Sequence, residues 1–353
     1  MTPLDALLIA AGAVIVGLTL MSSVATVVVP RGVPVRLSRA VFLFVRRTLL
    51  LRRATDYESR DRVFAYYAPV ALMLLPGVWL ALVVLGFTLV QRGLGVPSWR
   101  LAFELSGSSV TTLGFIAAET LPQHVAAFVE AALGLLLVAL LITYLPSMYA
   151  GFQRREALVS RTAIQAGTPP DPGDLLVRFH TIRGLDRLED EVWEPWITGF
   201  IDLEETHTSL AALAFFRSPQ PHRSWITASG AVLDAASLYA STVAGDRVPG
   251  AELCIRAGYL SLRQIASFNG ITFDPNPAPT DPISVTREEY DEVFDRLAAA
   301  GVPVKEDRDQ AWRDFAGWRV NYDAVLVAMA GFFLAPYAKW SSDRSTARPG
   351  RRG

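Results

Sequence analysis

Three long apolar stretches lie within the first 155 residues of this 353-residue chain. Residues 6–29 and 63–90 carry no charged side chain, and residues 124–152 carry one, Glu130. A helix needs about 20 mostly apolar residues to cross the hydrocarbon core of a bilayer. The sequence therefore predicts three transmembrane helices. A cleavable signal peptide is the alternative for the first stretch, but residues 6–29 are long for an h-region and no basic segment precedes them.

Arginines flank these stretches unevenly. Nine follow the first stretch and three follow the third: Arg31, Arg36, Arg39, Arg46, Arg47, Arg52, Arg53, Arg60 and Arg62, then Arg154, Arg155 and Arg161. Basic residues collect on the cytoplasmic side of a membrane. We therefore expect a multi-pass protein of the cell (plasma or inner) membrane, with its N-terminus and residues 98–122 outside and everything after the third stretch in the cytoplasm.

The arginine-rich segment at residues 31–62 also contains apolar side chains, among them Val41, Phe42, Val45 and Leu49. This mixture favours a basic amphipathic helix on the anionic lipids of the inner leaflet. An ordinary positive loop between two spans explains the same residues equally well.

A short polar and apolar segment, residues 98–122, separates the second and third stretches. It begins with a helix-compatible run and continues as Thr111-Thr112-Leu113-Gly114-Phe115. Non-helical backbone at membrane depth is tolerated where it lines water or is buried in protein, and its free carbonyl groups can replace the hydration shell of an ion. The segment therefore fits a re-entrant pore loop.

At this point the sequence resembles the potassium channels with two spans and one pore loop, whose pattern is similar to A-F-x-x-S-x-x-T-x-T-T-V-G-Y-G-D. The matching positions are Ala102, Phe103, Ser106, Thr111, Thr112 and Gly114, with Leu113 for Val and Phe115 for Tyr. The resemblance covers residues 64–156, about a quarter of the chain, and leaves out the first stretch. The second filter glycine is replaced by Ile116 and the following acid by Ala117, so the filter is degenerate.

The resemblance implies a function for several further residues. Residues 111–116 would form the ion-conducting filter for K⁺ or another monovalent cation, and one loop per chain implies a homotetramer. Gly134 would be a gating hinge in the inner helix, and Pro146 a kink near the gate. Three acids, Glu104, Glu119 and Glu130, lie near the pore region and are further candidates.

The second half of the chain reads as a helical cytoplasmic domain at residues 174–353, after a linker at residues 156–173 rich in Pro and Gly. Apolar residues recur with helical spacing in six segments, which are residues 185–200, 203–216, 231–243, 250–268, 287–300 and 309–338. The uncharged residues 324–338 are too short to span comfortably. We expect a buried or interfacial helix there, with a fourth crossing as the alternative.

No catalytic or metal site is predicted in either half. His180, His207 and His222 lack the spacing of metal ligands, no Gly-rich phosphate loop is present, and the single cysteine, Cys254, excludes a disulfide within the chain. A net charge of −1 gives no sign of a nucleic-acid partner. We therefore expect neither an enzyme nor a bound cofactor.

The sequence thus favours an all-α membrane protein in four parts: a first helix at residues 1–30, a basic linker at 31–62, a pore module at 63–155 and a helical cytoplasmic domain. The leading hypothesis is a potassium-channel-like cation channel subunit that its cytoplasmic domain regulates through an unidentified ligand or protein. The alternative is a non-conducting membrane-anchored signalling or scaffold protein that keeps the pore-loop fold.

Overall fold

The computed structural model describes residues 2–27, 36–50 and 63–345. Arg31 and the arginines between residues 51 and 62 lie outside the described residues. The described part of the chain is helical apart from turns and one isolated bridge between Val243 and Val304, as predicted. It divides into two compact units. Of the described residues, unit 1 contains 2–27, 36–50 and Val63–Ala150, and unit 2 contains those from Gly151 to residue 345.

Among the described residues, unit 1 contains five helices. They are α1 (Pro3–Val27), α2 (Arg36–Leu50), α3 (Tyr67–Gly93), α4 (Trp99–Val110) and the first part of α5 (Leu121–Ala166). Three helical segments, Pro3–Val27, Val63–Gly93 and Leu121–Ala166, are long and apolar enough to cross a membrane. The three predicted spanning helices are therefore confirmed in length and composition, which indicates a membrane protein.

Small residues bring α1 and α3 into close contact. A Cβ atom on Gly12 would lie 2.3 Å from the carbonyl oxygen of Gly86, and a Cβ on Gly86 would lie 2.6 Å from a methyl group of Val16. Membrane helices associate through such stripes of small residues, because the lipid supplies no hydrophobic driving force between them. The Trp79 indole N–H donates to Ser22 Oγ at 3.3 Å across the same contact.

Helix α2 packs on the same core with one face. Val41 and Val45 are buried, Leu37 and Phe42 pack against the cluster around α3, and Phe44 remains exposed on the other side. Part of the basic linker is therefore a helix with two different faces. Contact with lipid stays a prediction.

Unit 2 contains the end of α5 and seven further α-helices among the described residues. These are α6 (Pro172–Ile182), α7 (Glu194–Ser209), α8 (Trp225–Thr242), α9 (Pro249–Phe268), α10 (Arg287–Ala299), α11 (Arg308–Arg319) and α12 (Asp323–Phe332). Helix α8 lies at the centre, because nearly all of its side chains are buried. Thr286 and Glu289 form a capping box at the start of α10.

The structure differs from the predicted helix pattern at several places. Helix α6 was not predicted, and α8 begins at Trp225, six residues before the predicted segment 231–243, because Ser224 caps its first turn.

Helix α5 continues to Ala166 through most of the predicted linker, because Val159 and Ala166 pack in the core of unit 2. Helix α7 runs without a break through Phe200 and Leu203, whose side chains face the same core. The sequence had placed a boundary between those two residues.

A further difference concerns residues 309–338, which form two helices instead of one. The Asn321 side chain donates to the carbonyl oxygens of Gly317 and Trp318, both at 3.1 Å, and so satisfies the last turn of α11. Helix α12 then has only 10 residues, a length of about 15 Å. It is too short to cross a bilayer, so no fourth crossing is found in the described part of the chain.

Candidate pore loop

The candidate site is built on α4, which lies between the second and third spanning helices. Ser98 caps its first turn by accepting a hydrogen bond from the backbone N–H of Leu101 at 3.1 Å. Ala102 and Leu105 are buried and form a small core with Val96. The polar-apolar pattern thus makes a helix with one buried side, as a pore helix requires.

A tight non-helical turn follows α4, as the sequence predicted. Thr112 and Gly114 have positive φ angles of 58° and 67°, and one residue with a negative φ separates them. Left-handed backbone is easy for glycine and strained for a β-branched residue such as threonine. The Thr111 hydroxyl donates to the Gly107 carbonyl oxygen at 2.6 Å, so this side chain turns back toward α4.

Ser108 orients the turn. Its carbonyl oxygen accepts hydrogen bonds from the N–H groups of Leu113 at 2.9 Å and Gly114 at 3.4 Å. Its hydroxyl accepts from the N–H of Phe115 at 3.0 Å. A trans peptide unit places its C=O opposite its N–H. The carbonyl groups of Thr112, Leu113 and Gly114 therefore point away from α4.

These three carbonyl groups have no hydrogen-bond donor among the described residues. Large apolar side chains stand beside them, because Leu113 is 69% exposed and Phe115 is 66% exposed. Such exposure within a spanning unit requires cover by lipid or by other copies of the chain.

Ile116 lies apart from this exposed face. It packs against the small core formed by Ala102 and Leu105. Its φ angle is not positive, so the β-branched side chain is accommodated without left-handed strain. The Ile116 side chain is therefore half-buried against α4, unlike the exposed side chains of Leu113 and Phe115.

Two of the predicted residues meet α4 from behind. A Cβ on Gly134 would lie 2.2 Å from the carbonyl oxygen of Val110, the last residue of α4. Gly134 thus lets α5 approach the end of α4 closely, which is a packing reason for glycine at the predicted hinge position. Four residues earlier, Glu130 is completely buried and is hydrogen-bonded to Ser106 of α4.

The other predicted residues are not part of this cluster. Glu104 pairs with Arg100 at 2.8 Å on an outward side of α4, where the Arg100 side chain is 87% exposed. Glu119 is exposed in the loop before α5. Pro146 lies within α5 twelve residues after Gly134, a distance of about 18 Å along the helix.

Two glutamines that the sequence analysis overlooked hold the end of the loop before α5. Gln123 accepts hydrogen bonds from the N–H groups of Glu119 at 3.0 Å and Thr120 at 3.2 Å, and it donates to the carbonyl oxygen of Leu94 at 3.2 Å. Gln91, fully buried, donates to the carbonyl oxygen of Gln123 at 3.2 Å. Polar residues at the ends of spanning helices were a usable signal.

Unit 2 contains a buried ion cluster, which the sequence analysis also missed. Arg319 is fully buried and binds Asp234, Asp323 and the carbonyl oxygen of Trp340, and Tyr322 donates to Asp234 at 2.8 Å. Burial raises the pKa of Asp234 to about 6, although the Arg319 charge opposes this shift. The nearby acids raise the pKa of Arg319, against the effect of its own burial, so the guanidinium stays charged.

A second buried pair lies near the end of α5. The Arg155 guanidinium donates to the carbonyl oxygens of Leu213 at 2.8 Å and Phe216 at 2.9 Å, and one nitrogen lies 3.4 Å from His207 Nε2. Burial, and then the Arg155 charge, hold the pKa of His207 well below its usual value. His207 is therefore a neutral ring at neutral pH.

Metal ligands are not assembled in the described part of either unit. No group of three or more His, Cys, Asp or Glu side chains there could hold a metal ion. Comparison of the chain with known proteins found no relative, since no family model, no curated protein and no solved structure matches it.

Proposed function

We propose that the chain is a subunit of a pore-loop cation channel. The observation that carries this proposal is the orientation of the turn after α4, where the carbonyl groups of Thr112, Leu113 and Gly114 point away from the helix without a protein donor. Rings of backbone carbonyl groups coordinate cations in selectivity filters. The C-terminal end of α4 lies next to this turn, and its partial negative charge favours a cation there.

The proposed pore is a homotetramer. One chain supplies one row of carbonyl groups, and an ion needs such groups on all sides, so four copies around an axis would close the site. The exposed side chains of Leu113 and Phe115 support this assembly, because neighbouring copies would cover them.

The permeant ion is a monovalent cation, with K⁺ as the first candidate from the resemblance in residues 102–115. Ser108 orients the three carbonyl groups of residues 112–114, and the Ile116 side chain packs back on α4, so we propose a row of three coordinating positions. Fewer coordinating sites give the filter less discrimination. We therefore propose a weaker preference for K⁺ over Na⁺ than a complete filter gives.

Unit 2 is proposed to regulate the pore from the cytoplasm. Helix α5 is continuous from Leu121 to Ala166, and its residues from Gly151 onward belong to unit 2. A ligand or protein that favours one conformation of unit 2 would therefore act on the inner helix directly. The basic segment at residues 31–62 is proposed to bind anionic lipid on the same side.

The test is ion flux through purified protein in liposomes, driven separately by K⁺ and by Na⁺ gradients. Gly114→Asp places a side chain and a charge at a residue with a φ of 67°, and it should abolish flux. Gly245→Asp is the matched control, because Gly245 also has a positive φ, 144°, but lies in unit 2 with open space around it.

Flux in the wild type and in Gly245→Asp, with none in Gly114→Asp, supports the channel. Absence of flux from an intact tetramer would contradict the channel and favour the non-conducting scaffold. The specific observation in favour of this alternative is that Ile116, at the position of the second filter glycine, packs against α4. A monomer under native conditions would contradict the tetrameric pore itself.

A further inference from the structure

Among the described ionisable residues of the spanning helices, Glu130 is the most deeply buried. None of its surface is exposed, and it lies on α5 one turn before the contact between Gly134 and Val110. One carboxyl oxygen is hydrogen-bonded to Ser106 Oγ, and the other has no partner among the described residues. Ionisable groups at such depth are rare and usually functional.

The contacts of Ser106 restrict where the protons are. Its hydroxyl oxygen lies 2.9 Å from the carbonyl oxygen of Val84 on α3, and it also contacts Glu130. A serine hydroxyl carries one proton, and a carbonyl oxygen can only accept. If Ser106 donates to Val84, the proton in the contact between Ser106 and Glu130 must come from Glu130.

The opposite arrangement is an ionised Glu130 that accepts from Ser106. It would leave a full negative charge among the spanning helices with a single neutral donor, one oxygen unpaired, and no ion pair to a described basic side chain. Burying an unpaired carboxylate costs several kcal/mol or more. The neutral acid avoids this cost and provides a donor for Ser106.

We propose that Glu130 is a protonated carboxylic acid that donates to Ser106 and thereby positions α4 behind the turn. The chain of hydrogen bonds runs from Glu130 on α5 to Ser106 on α4 and on to Val84 on α3. It joins three helices at one point. Ser108, which orients the turn, lies two residues after Ser106 on the same helix. Glu130 is thus a positioning residue, and its role in conduction rests on the proposed channel function.

The first experiment is an infrared spectrum of the purified wild type in liposomes at neutral pH, minus the spectrum of Glu130→Gln. We expect the difference to contain the C=O stretch of a protonated carboxylic acid. Glu104→Gln is the control, because Glu104 forms an exposed ion pair with Arg100, and its difference spectrum should contain carboxylate bands only. Carboxylate bands for Glu130 would overturn the proposal.

The second experiment is flux through the variants. Glutamine keeps an N–H donor for Ser106, so Glu130→Gln should conduct, whereas Glu130→Leu should lose flux because Ser106 loses its donor. Equal flux in Glu130→Gln and Glu130→Leu would contradict the positioning role. The infrared result does not depend on conduction. If the wild type shows the acid band but conducts no ions, the channel proposal is refuted and the protonation of Glu130 is not.

Discussion

The two units place their apolar side chains in opposite ways. In α1 of unit 1 the buried residues are Gly12, Val16, Thr19, Ser22 and Ser23, whereas large apolar side chains such as Leu7 and Met21 are exposed. In unit 2 the side chains of α8 are nearly all buried, within a core of Trp, Phe and Leu. The burial of large apolar side chains in unit 2 is typical of a core formed by the hydrophobic effect. The burial of small residues in unit 1 is typical of helices packed in lipid, where close backbone contact replaces that effect.

Buried polar groups follow the same division. Unit 2 buries a charged arginine between two aspartates, and each of these ions has partners. Unit 1 joins its helices through hydroxyl, amide and backbone groups at Ser22, Ser106 and Gln123, together with Glu130. In unit 2 opposite charges compensate each other within the buried cluster, whereas any charge is costly in the hydrocarbon core of a bilayer. Three predictions test this contrast.

The largest effect is expected in the ion cluster of unit 2. Arg319→Met removes the shared cation and leaves Asp234 and Asp323 as buried charges without compensation. We expect the free energy of unfolding of unit 2 to fall by ~3–5 kcal/mol, measured by chemical denaturation of the full chain with tryptophan fluorescence.

Arg256→Met is the matched control for this prediction. Arg256 is exposed and contacts the Tyr259 hydroxyl at 3.2 Å, so its loss should change stability by less than about 0.5 kcal/mol. A similar loss in both variants would show that the cluster contributes no more than a surface arginine.

The next effect concerns the contact between α1 and α3. Gly86→Leu would place its Cβ 2.6 Å from a Val16 methyl group and 3.0 Å from the Gly12 carbonyl oxygen. We expect a loss of ~1–3 kcal/mol from overpacking, seen as a lower melting temperature in detergent and as loss of a cysteine cross-link between the two helices. Gly77→Leu on the same helix points into open space and should leave both measurements unchanged.

The smallest effect is a pH dependence in unit 2. His207 has a pKa well below its usual 6.5 in the folded chain, so below this pH the unfolded chain binds one proton more than the folded chain. The contribution of His207 to stability should therefore decrease as the pH falls below 6.5, by up to ~1.4 kcal/mol per pH unit. His207→Phe should remove the contribution of His207 to the curve of stability against pH, and an unchanged curve in that variant would refute the assignment.

Asp234 provides a second check on the same curve. Its pKa is raised from 3.8 to about 6 by burial, so between these values the folded chain binds the additional proton and stability decreases as the pH rises. The two slopes have opposite signs and should offset each other below about pH 6. In Asp234→Asn the decrease due to His207 should continue to lower pH.

Much of the architecture follows from the sequence alone. Length and composition determine the three spanning helices, because a chain in hydrocarbon must satisfy its backbone hydrogen bonds within each helix. The non-helical turn at Thr111 to Phe115 was predicted from a local pattern, and its backbone has that form. The starts of α9 and α10 were predicted to within one residue, since Pro249 and Thr286 are local signals for a helix start.

Only the tertiary structure decided which side chains meet. Asp234 and Arg319 are separated by 85 positions, and no periodicity indicates that they share a cluster. Ile116 stands where the resemblance implies a filter glycine, and packing on Ala102 and Leu105 gives it an ordinary backbone. Gly134 was predicted as a hinge, and the structure places it where α5 contacts the end of α4. Local sequence sets helices and turns, whereas a buried contact depends on segments that the chain brings together from a distance.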